Sequence, residues 1–316
     1  MPNNADFPQN PTPAELRRAY GGGFCGSLCD PEDVSKLLGE LPHPLFGAAA
    51  HKLRASGEGK VSLPFKSLLR FDPKFGPSES QTTGDCVSHA TRNAVDVTRA
   101  VEIDVRKEPE SFVARGATEA IYGSRGHGGQ GMSCSRAARF VAEDGGLLLR
   151  QDYGDLVDLS TYNSDIGSRW GRRGVPAKVE EVARKHQVLT ISLVTTIGEA
   201  RDALANGYAI SVCSGYGFSS RRDDNGYARR KGSWSHAMAW VACNDTKAKG
   251  GPGFLVQNSW GAWNGGGKSY GQPDGSFWVD YDTAGKMLGD HGSWVFSDVD
   301  GFPPRKLPNY GGSLWG

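Results

Sequence analysis

The sequence predicts an α+β fold from three observations: helical patterns come first, strand patterns come later, and 44 glycines with 17 prolines among 316 residues leave little room for a helical bundle. Segregation of this kind argues for a helical part packed against a mostly antiparallel sheet, not for alternating βαβ units.

Residues 1 to about 20 are polar and carry Pro2, Pro8, Pro11 and Pro13, which predicts an extended arm. Asp30-Pro31-Glu32-Asp33 then combines a capping acid, a proline at the first helical position and acids in the first turn, so a short helix is expected through Val34, Leu37, Leu38 and Leu41. The clearest helix begins at Cys86, because Val87, Ala90, Ala94, Val97 and Val101 recur every three or four residues and draw one apolar stripe. A second runs from Ser133 through Ala137, Phe140 and Val141 to the stop at Gly145-Gly146, and a third spans Pro176 to Lys185. A fourth opens on the capping-box pattern Thr196-Ile197-Gly198-Glu199 and ends at Gly207. Strands follow at Tyr208 to Cys213, Ala237 to Cys243, Phe254 to Gln257 and Ser276 to Tyr281, each bounded by Gly, Asn, Asp or Pro. The tail from Gly301 to Gly316 reads as surface loop.

Charge narrows the function. Thirty-six Lys and Arg against 35 Asp and Glu give no net pull toward nucleic acid or an anionic membrane, so neither is expected as a partner. No apolar run approaches the ~18 residues of a membrane span, and Met1 to Asp6 lacks the parts of a signal peptide, which predicts a cytoplasmic protein, with virion association or release as alternatives. Cys25, Cys29, Cys86, Cys134, Cys213 and Cys243 are too sparse for a disulfide scaffold, and a reducing compartment keeps them as thiols.

The chemistry centres on Gln81-Thr82-Thr83-Gly84-Asp85-Cys86, where a loop becomes a helix. A helix N-terminus offers N–H groups and partial positive charge, which favour a thiolate and can bind an oxyanion. Of the seven histidines, His236 opens the apolar strand His236-Ala237-Met238-Ala239-Trp240-Val241-Ala242, which would hold its imidazole rigidly. Taken alone this is a hydrogen-bonded strand-end histidine. The third element is Val256-Gln257-Asn258-Ser259-Trp260-Gly261, in which an amide side chain can orient an imidazole while the next indole shields it.

Together these residues resemble the papain family of cysteine peptidases, whose chain order is Gln, Cys, His, Asn, with the asparagine in an Asn-Ser-Trp-Gly motif. The resemblance extends over roughly Val61 to Phe296 and takes in Tyr122-Gly123, Gly128-Gly129, Gly145 to Tyr153 and Gly275-Ser276-Phe277-Trp278-Val279. His236 and Asn258 follow Cys86 at or somewhat beyond the ~130–150 residues usual for such enzymes. The resemblance implies a divergent member with two lobes, a helical one over about 80–190 and a sheet or barrel one over about 191–300, with the site in the cleft between them. The domain would span 61–300, preceded by an extension over 1–60 that serves as a pro-, inhibitory or docking segment and followed by a tail over 301–316. It implies a thiol endopeptidase acting on a peptide or protein. Cys86 would be the nucleophile, His236 the base and acid, Asn258 its orienter, and Gln81 an oxyanion donor with the Cys86 N–H. Gly128, Gly129 and Trp260 would line the substrate, and neither metal nor organic cofactor is called for. The alternatives are hydrolysis of a non-protein amide or isopeptide, acyl transfer, or a silent binding module in a larger assembly such as a virus particle.

The sequence departs from the family around the nucleophile. Gln81 is one residue closer to Cys86, Thr-Gly-Asp-Cys-Val replaces Cys-Gly-Ser-Cys-Trp, and Asp85 would raise a thiol pKa if its charge lay close. Other patterns read as structural. Gly126-His127-Gly128-Gly129-Gln130-Gly131 matches a dinucleotide fingerprint without its βαβ setting. Cys25-x-x-x-Cys29 lacks a second ligand pair. Cys213 and Cys243 read as core, Cys134 and His89 as structural, and Arg221 to Lys231 as a solvated loop.

Overall fold

The computed structural model of the chain describes residues 26–28, 31–73, 79–106, 115–290 and 292–311. The first part of the chain contains β1 (Ser27–Leu28), α1 (Pro31–Glu40), α2 (Phe46–Ala49), β2 (Val61–Ser62), α3 (Phe65–Phe71), α4 (Cys86–Arg106) and α5 (Glu119–Gly123). It continues through β3 (Met132–Ser133), α6 (Cys134–Arg139), α7 (Ser164–Arg173) and α8 (Ala177–Ala183). The second part holds β4 (Thr190–Leu193), α9 (Ile197–Ala205), β5 (Ile210–Arg222), β6 (Ala228–Asn244), β7 (Gly253–Gln257), β8 (Ser276–Asp280), α10 (Tyr281–Leu288) and β9 (Gly292–Ser297). Helices and strands are therefore segregated along the chain, as the α+β reading expects.

The sheet runs β4-β9-β5-β6-β7-β8 with β2 added on β6, and every pairing in it is antiparallel. It stays open, with β4 and β8 at its edges, so the second lobe is a sheet and not a closed barrel. Helix α4 lies between this sheet and the other helices, and its burial differs from the amphipathic expectation. Val87, Ala90, Ala94, Val97 and Val101 are buried as the stripe predicts, but His89, Arg92, Asp96 and Arg99 on the polar face are buried too. That face is tolerable because its charges are paired. Arg92 donates to the Gly116 carbonyl and to Glu79, whereas Asp96 accepts from the Gly116 N–H. Arg150 completes the network by bridging Glu79 and Glu119.

The capping box at α9 is formed, with Thr196 accepting from the Glu199 N–H and the Glu199 carboxylate accepting from the Thr196 N–H. The arginine-rich stretch is not a loop. β5 and β6 run on through it as a long hairpin whose register shifts at three places, leaving Arg229, Arg230 and Lys231 exposed while Trp234 is buried.

Part of the presumed extension belongs to the body of the protein. Leu37, Phe46, Ala50 and Leu53 are buried in the common core, and the N–H groups of Ala55 and Gly57 donate to the Asp202 carboxylate. The arm expected over 1 to about 20 lies outside the described residues. The tail is fastened as well, with Phe302 buried between Phe46 and Tyr208 and Tyr310 N donating to the Val61 carbonyl. No helix among the described residues is long and apolar enough to cross a membrane.

Candidate active site

Asp85 caps α4 through its carbonyl, which accepts from the N–H groups of Ser88 and His89, so Cys86 occupies the first turn of the helix. The loop before it is held from several sides. Gln130 Oε1 accepts from the Thr83 hydroxyl at 2.7 Å and the Gly84 N–H at 2.6 Å. The Tyr162 hydroxyl donates to Asp85 Oδ2 at 2.7 Å and accepts from the Thr82 N–H, while His89 Nε2 stands 3.4 Å from the same carboxylate oxygen. His89 is thus structural, and it closes an edge-on contact with Tyr162.

β6 brings the second participant. The Ala237 N–H donates to Cys86 Sγ at 3.4 Å, which sets the sulfur against the strand at the residue next to His236. His236 Nε2 donates to Asn258 Oδ1 at 2.8 Å, and that oxygen also accepts from the Ser259 N–H at 2.7 Å. An imidazole that donates from Nε2 keeps the lone pair of its neutral form on Nδ1, and Nδ1 is buried without a hydrogen bond among the described residues. Burial pushes the His236 pKa down to about 4, against the opposing pull of Asn258, so the ring is neutral at ordinary pH.

Trp260 stacks on this ring with centroids 4.8 Å apart and planes 26° from parallel, and Trp234 meets it edge-on. Its Nε1–H donates to Gln81 Oε1 at 3.2 Å, an oxygen that also accepts from the Ser259 hydroxyl at 2.6 Å. Gln81 is therefore joined to the asparagine loop, while its Nε2 donates to the Thr83 carbonyl at 2.8 Å. The fold brings together Gln81, Cys86, His236, Asn258 and Trp260, and each is 0% exposed.

The glycine pair lies outside this buried group. Gly128 and Gly129 are exposed, with the Gly129 carbonyl accepting from Arg125, and it is Gln130 and Gly131 that abut Gly84. The backbone just beyond them, Met132–Ser133, carries a strand of its own because β1 pairs with it in parallel. Gly26 packs so tightly there that an added Cβ would lie 2.2 Å from the Gly84 carbonyl oxygen, and its φ of +116° also calls for glycine.

Cys134 and Cys213 are joined in a disulfide, which corrects the expectation that both are thiols. They line a cavity of about 280 Å³ together with Ser27, Val34, Ser214 and Asp290. Sequence reasoning missed the roles of Tyr162, Gln130 and this disulfide, since nothing near those residues marks their distant partners. No cluster of three or more metal-ligating side chains occurs among the described residues, and Cys25 and Cys29 lie outside them.

No protein-family model and no curated protein sequence matches the chain. Solved structures do match. Xylellain, a cysteine protease from Xylella fastidiosa, is 18% identical, with a TM-score of 0.52 over 89% of this chain and 97% of that one. The chain has the papain-like fold. A second papain-like neighbour, procathepsin B S9 from Trypanosoma congolense, is 12% identical, with a TM-score of 0.55 over 91% of this chain and 88% of that one. At such identities the likeness describes the arrangement of the papain-like lobes, and the site has to be argued from its own chemistry.

Proposed function

We propose that the protein is a cysteine hydrolase of the thiol endopeptidase kind, with Cys86 as nucleophile, His236 as base and acid, and Asn258 as the group that holds the ring. The observation that carries this reading is the junction at β6, where the Ala237 N–H meets the Cys86 sulfur while the neighbouring His236 is locked to Asn258. Residues far apart in sequence converge there with the tautomer a base needs.

In the proposed reaction, His236 Nδ1 takes the thiol proton and Cys86 Sγ attacks the carbonyl carbon of a peptide bond. The oxygen that becomes negative is bound by the Cys86 N–H at the start of α4 and by Gln81 Nε2, whose amide is aimed by Ser259 and Trp260. His236 then returns the proton to the departing amine. Water next attacks the thioester carbon as His236 takes its proton, and the acid leaves as Cys86 regains a thiol. The adjoining cavity, walled by Val34 and the paired cysteines as well as by Ser214 and Asp290, has room for a side chain of the substrate.

The complete burial of Cys86 and His236 favours a second reading, a closed module that binds and does not cut. Peptide mapping after treatment with an epoxide inhibitor of thiol peptidases, in the presence of a dithiol, separates the two. Single labelling at Cys86 that falls about 10²–10⁴-fold in His236→Ala supports the hydrolase. Scattered labelling that the substitution leaves unchanged sinks it. Product masses from peptide, isopeptide and amine-supplemented reactions then tell peptidase from isopeptide hydrolysis or acyl transfer.

A further inference from the structure

The Cys134–Cys213 disulfide crosses the cleft. Cys134 is the first residue of α6 in the helical lobe, Cys213 lies in β5 of the sheet lobe, and 79 positions of sequence separate them. On the sheet side, Cys213 pairs with Ala237, whose N–H meets the Cys86 sulfur, and the next residue Ser214 pairs with His236. On the helical side, Cys134 directly follows β3, the strand on which β1 lies. The hydroxyl of Ser27 in β1 stands 3.7 Å from Cys134 Sγ. One covalent bond thus ties β5, the neighbour of the strand that carries His236 and meets the Cys86 sulfur, to the start of α6 beside the β1–β3 pair.

The position differs from that of an ordinary core staple. Both cysteines face a cavity of about 280 Å³ whose wall includes Ser27, Ser133, Ser135, Ser214 and Ser235. A space of this size admits a small thiol. Meanwhile Cys86, His236 and Asn258 have no exposed surface in the disulfide-bonded molecule, so a substrate can reach them only once a covering element moves.

We propose that this disulfide is a redox strap: oxidised, it holds the lobes closed over Cys86 and His236, and reduction by a dithiol releases them and opens the site. The inference rests on reading Cys86 and His236 as the reactive pair. In the chemical step, a thiolate of the dithiol attacks one sulfur of the strap, the S–S bond breaks, and the other cysteine leaves as a thiolate that takes up a proton. The second thiol of the reagent then displaces the first cysteine. Two electrons and two protons pass to the protein, which holds two thiols, and the reagent leaves as its own disulfide.

The test uses the full chain equilibrated in a series of reduced and oxidised dithiothreitol mixtures. Differential alkylation and mass mapping give the fraction of strap reduced and establish that Cys86 is a thiol in the molecules counted. On the same samples, the rate of epoxide labelling at Cys86 and the hydrogen exchange of the Met132 and Ala237 amides are measured. We expect labelling to rise about tenfold or more in step with strap reduction. The variant carrying Cys134→Ser and Cys213→Ser should label at the fast rate without dithiol. Equal labelling and equal exchange in the two redox states would overturn the strap. Faster exchange on reduction with no labelling of Cys86 in any state would keep the strap and remove the hydrolase reading. If the double variant does not fold, Cys213→Ala and the titration of the parent carry the same comparison.

Discussion

At the scale of residues, His236 combines a tautomer fixed by its bond to Asn258 with a pKa that burial depresses against the pull of that bond. The depressed value has a stability consequence with a definite sign. The unfolded ring titrates near 6.5 and the folded one near 4, so between those values the unfolded chain binds the extra proton. The contribution is fully present above pH 6.5 and is lost as pH falls toward 4, by roughly 3 kcal/mol. Asp96, raised to about 6 by burial, acts in the opposite sense, since its contribution is present in acid and is lost as pH rises through that value. Urea unfolding of the parent and of His236→Gln at pH 7 and pH 4.5 isolates the histidine. The parent should lose more stability on acidification than the variant, and parallel losses would contradict the assignment. Cys86, His236 and Asn258 were legible because each sits where an element begins or ends, beside residue types that suit its role. Tyr162 and Gln130 carried no such mark, since their importance comes from what the tertiary fold places beside them.

At the scale of elements, α4 shows how far a periodic pattern reaches. Its start and stripe were readable from local sequence, whereas the burial of its polar side depends on Glu79, Gly116 and Arg150 from other segments. Although burial alone would raise it, the Glu79 carboxyl is held well below the usual range by Arg92 and Arg150. Removing one cation from such a network strands the acids it serves. Arg150→Met should therefore destabilise the protein by about 3–5 kcal/mol, read as a lower urea midpoint, with Glu119 left uncompensated and Glu79 held by Arg92 alone. A change under about 1 kcal/mol would mean that Arg92 alone suffices. The strands were harder to read. β5 and β6 extend well past their apolar cores because register shifts break the alternation that marks a strand, so the charged hairpin looked like a loop.

For the whole molecule, the order of helices before strands was enough to anticipate a helical part packed against a mostly antiparallel sheet, but not where the chain's ends would go. Segments on either side of the sheet meet at Phe302, which packs edge-on against Phe46 at 4.9 Å and Tyr208 at 5.1 Å. The tail from Gly301 was read as surface loop because a single aromatic in a glycine- and proline-rich stretch has no periodicity to announce it. Phe302→Ala should cost about 3–5 kcal/mol, measured by thermal or urea unfolding, if this contact closes the molecule. A loss within about 0.5 kcal/mol would return the tail to the status of a loop.

β1 lies on β3 beside Gly84 and is joined to α1 through only residues 29 and 30. Were the substrate of the proposed reaction to pair with β3, β1 on so short a tether would compete with it as if present on the order of millimolar concentration, whatever the amount of protein in solution. A free peptide with equal intrinsic affinity would need about that concentration to displace half of it. The KM of a soluble substrate would then report a contest with the chain's own backbone, and dilution of the protein would leave that handicap unchanged.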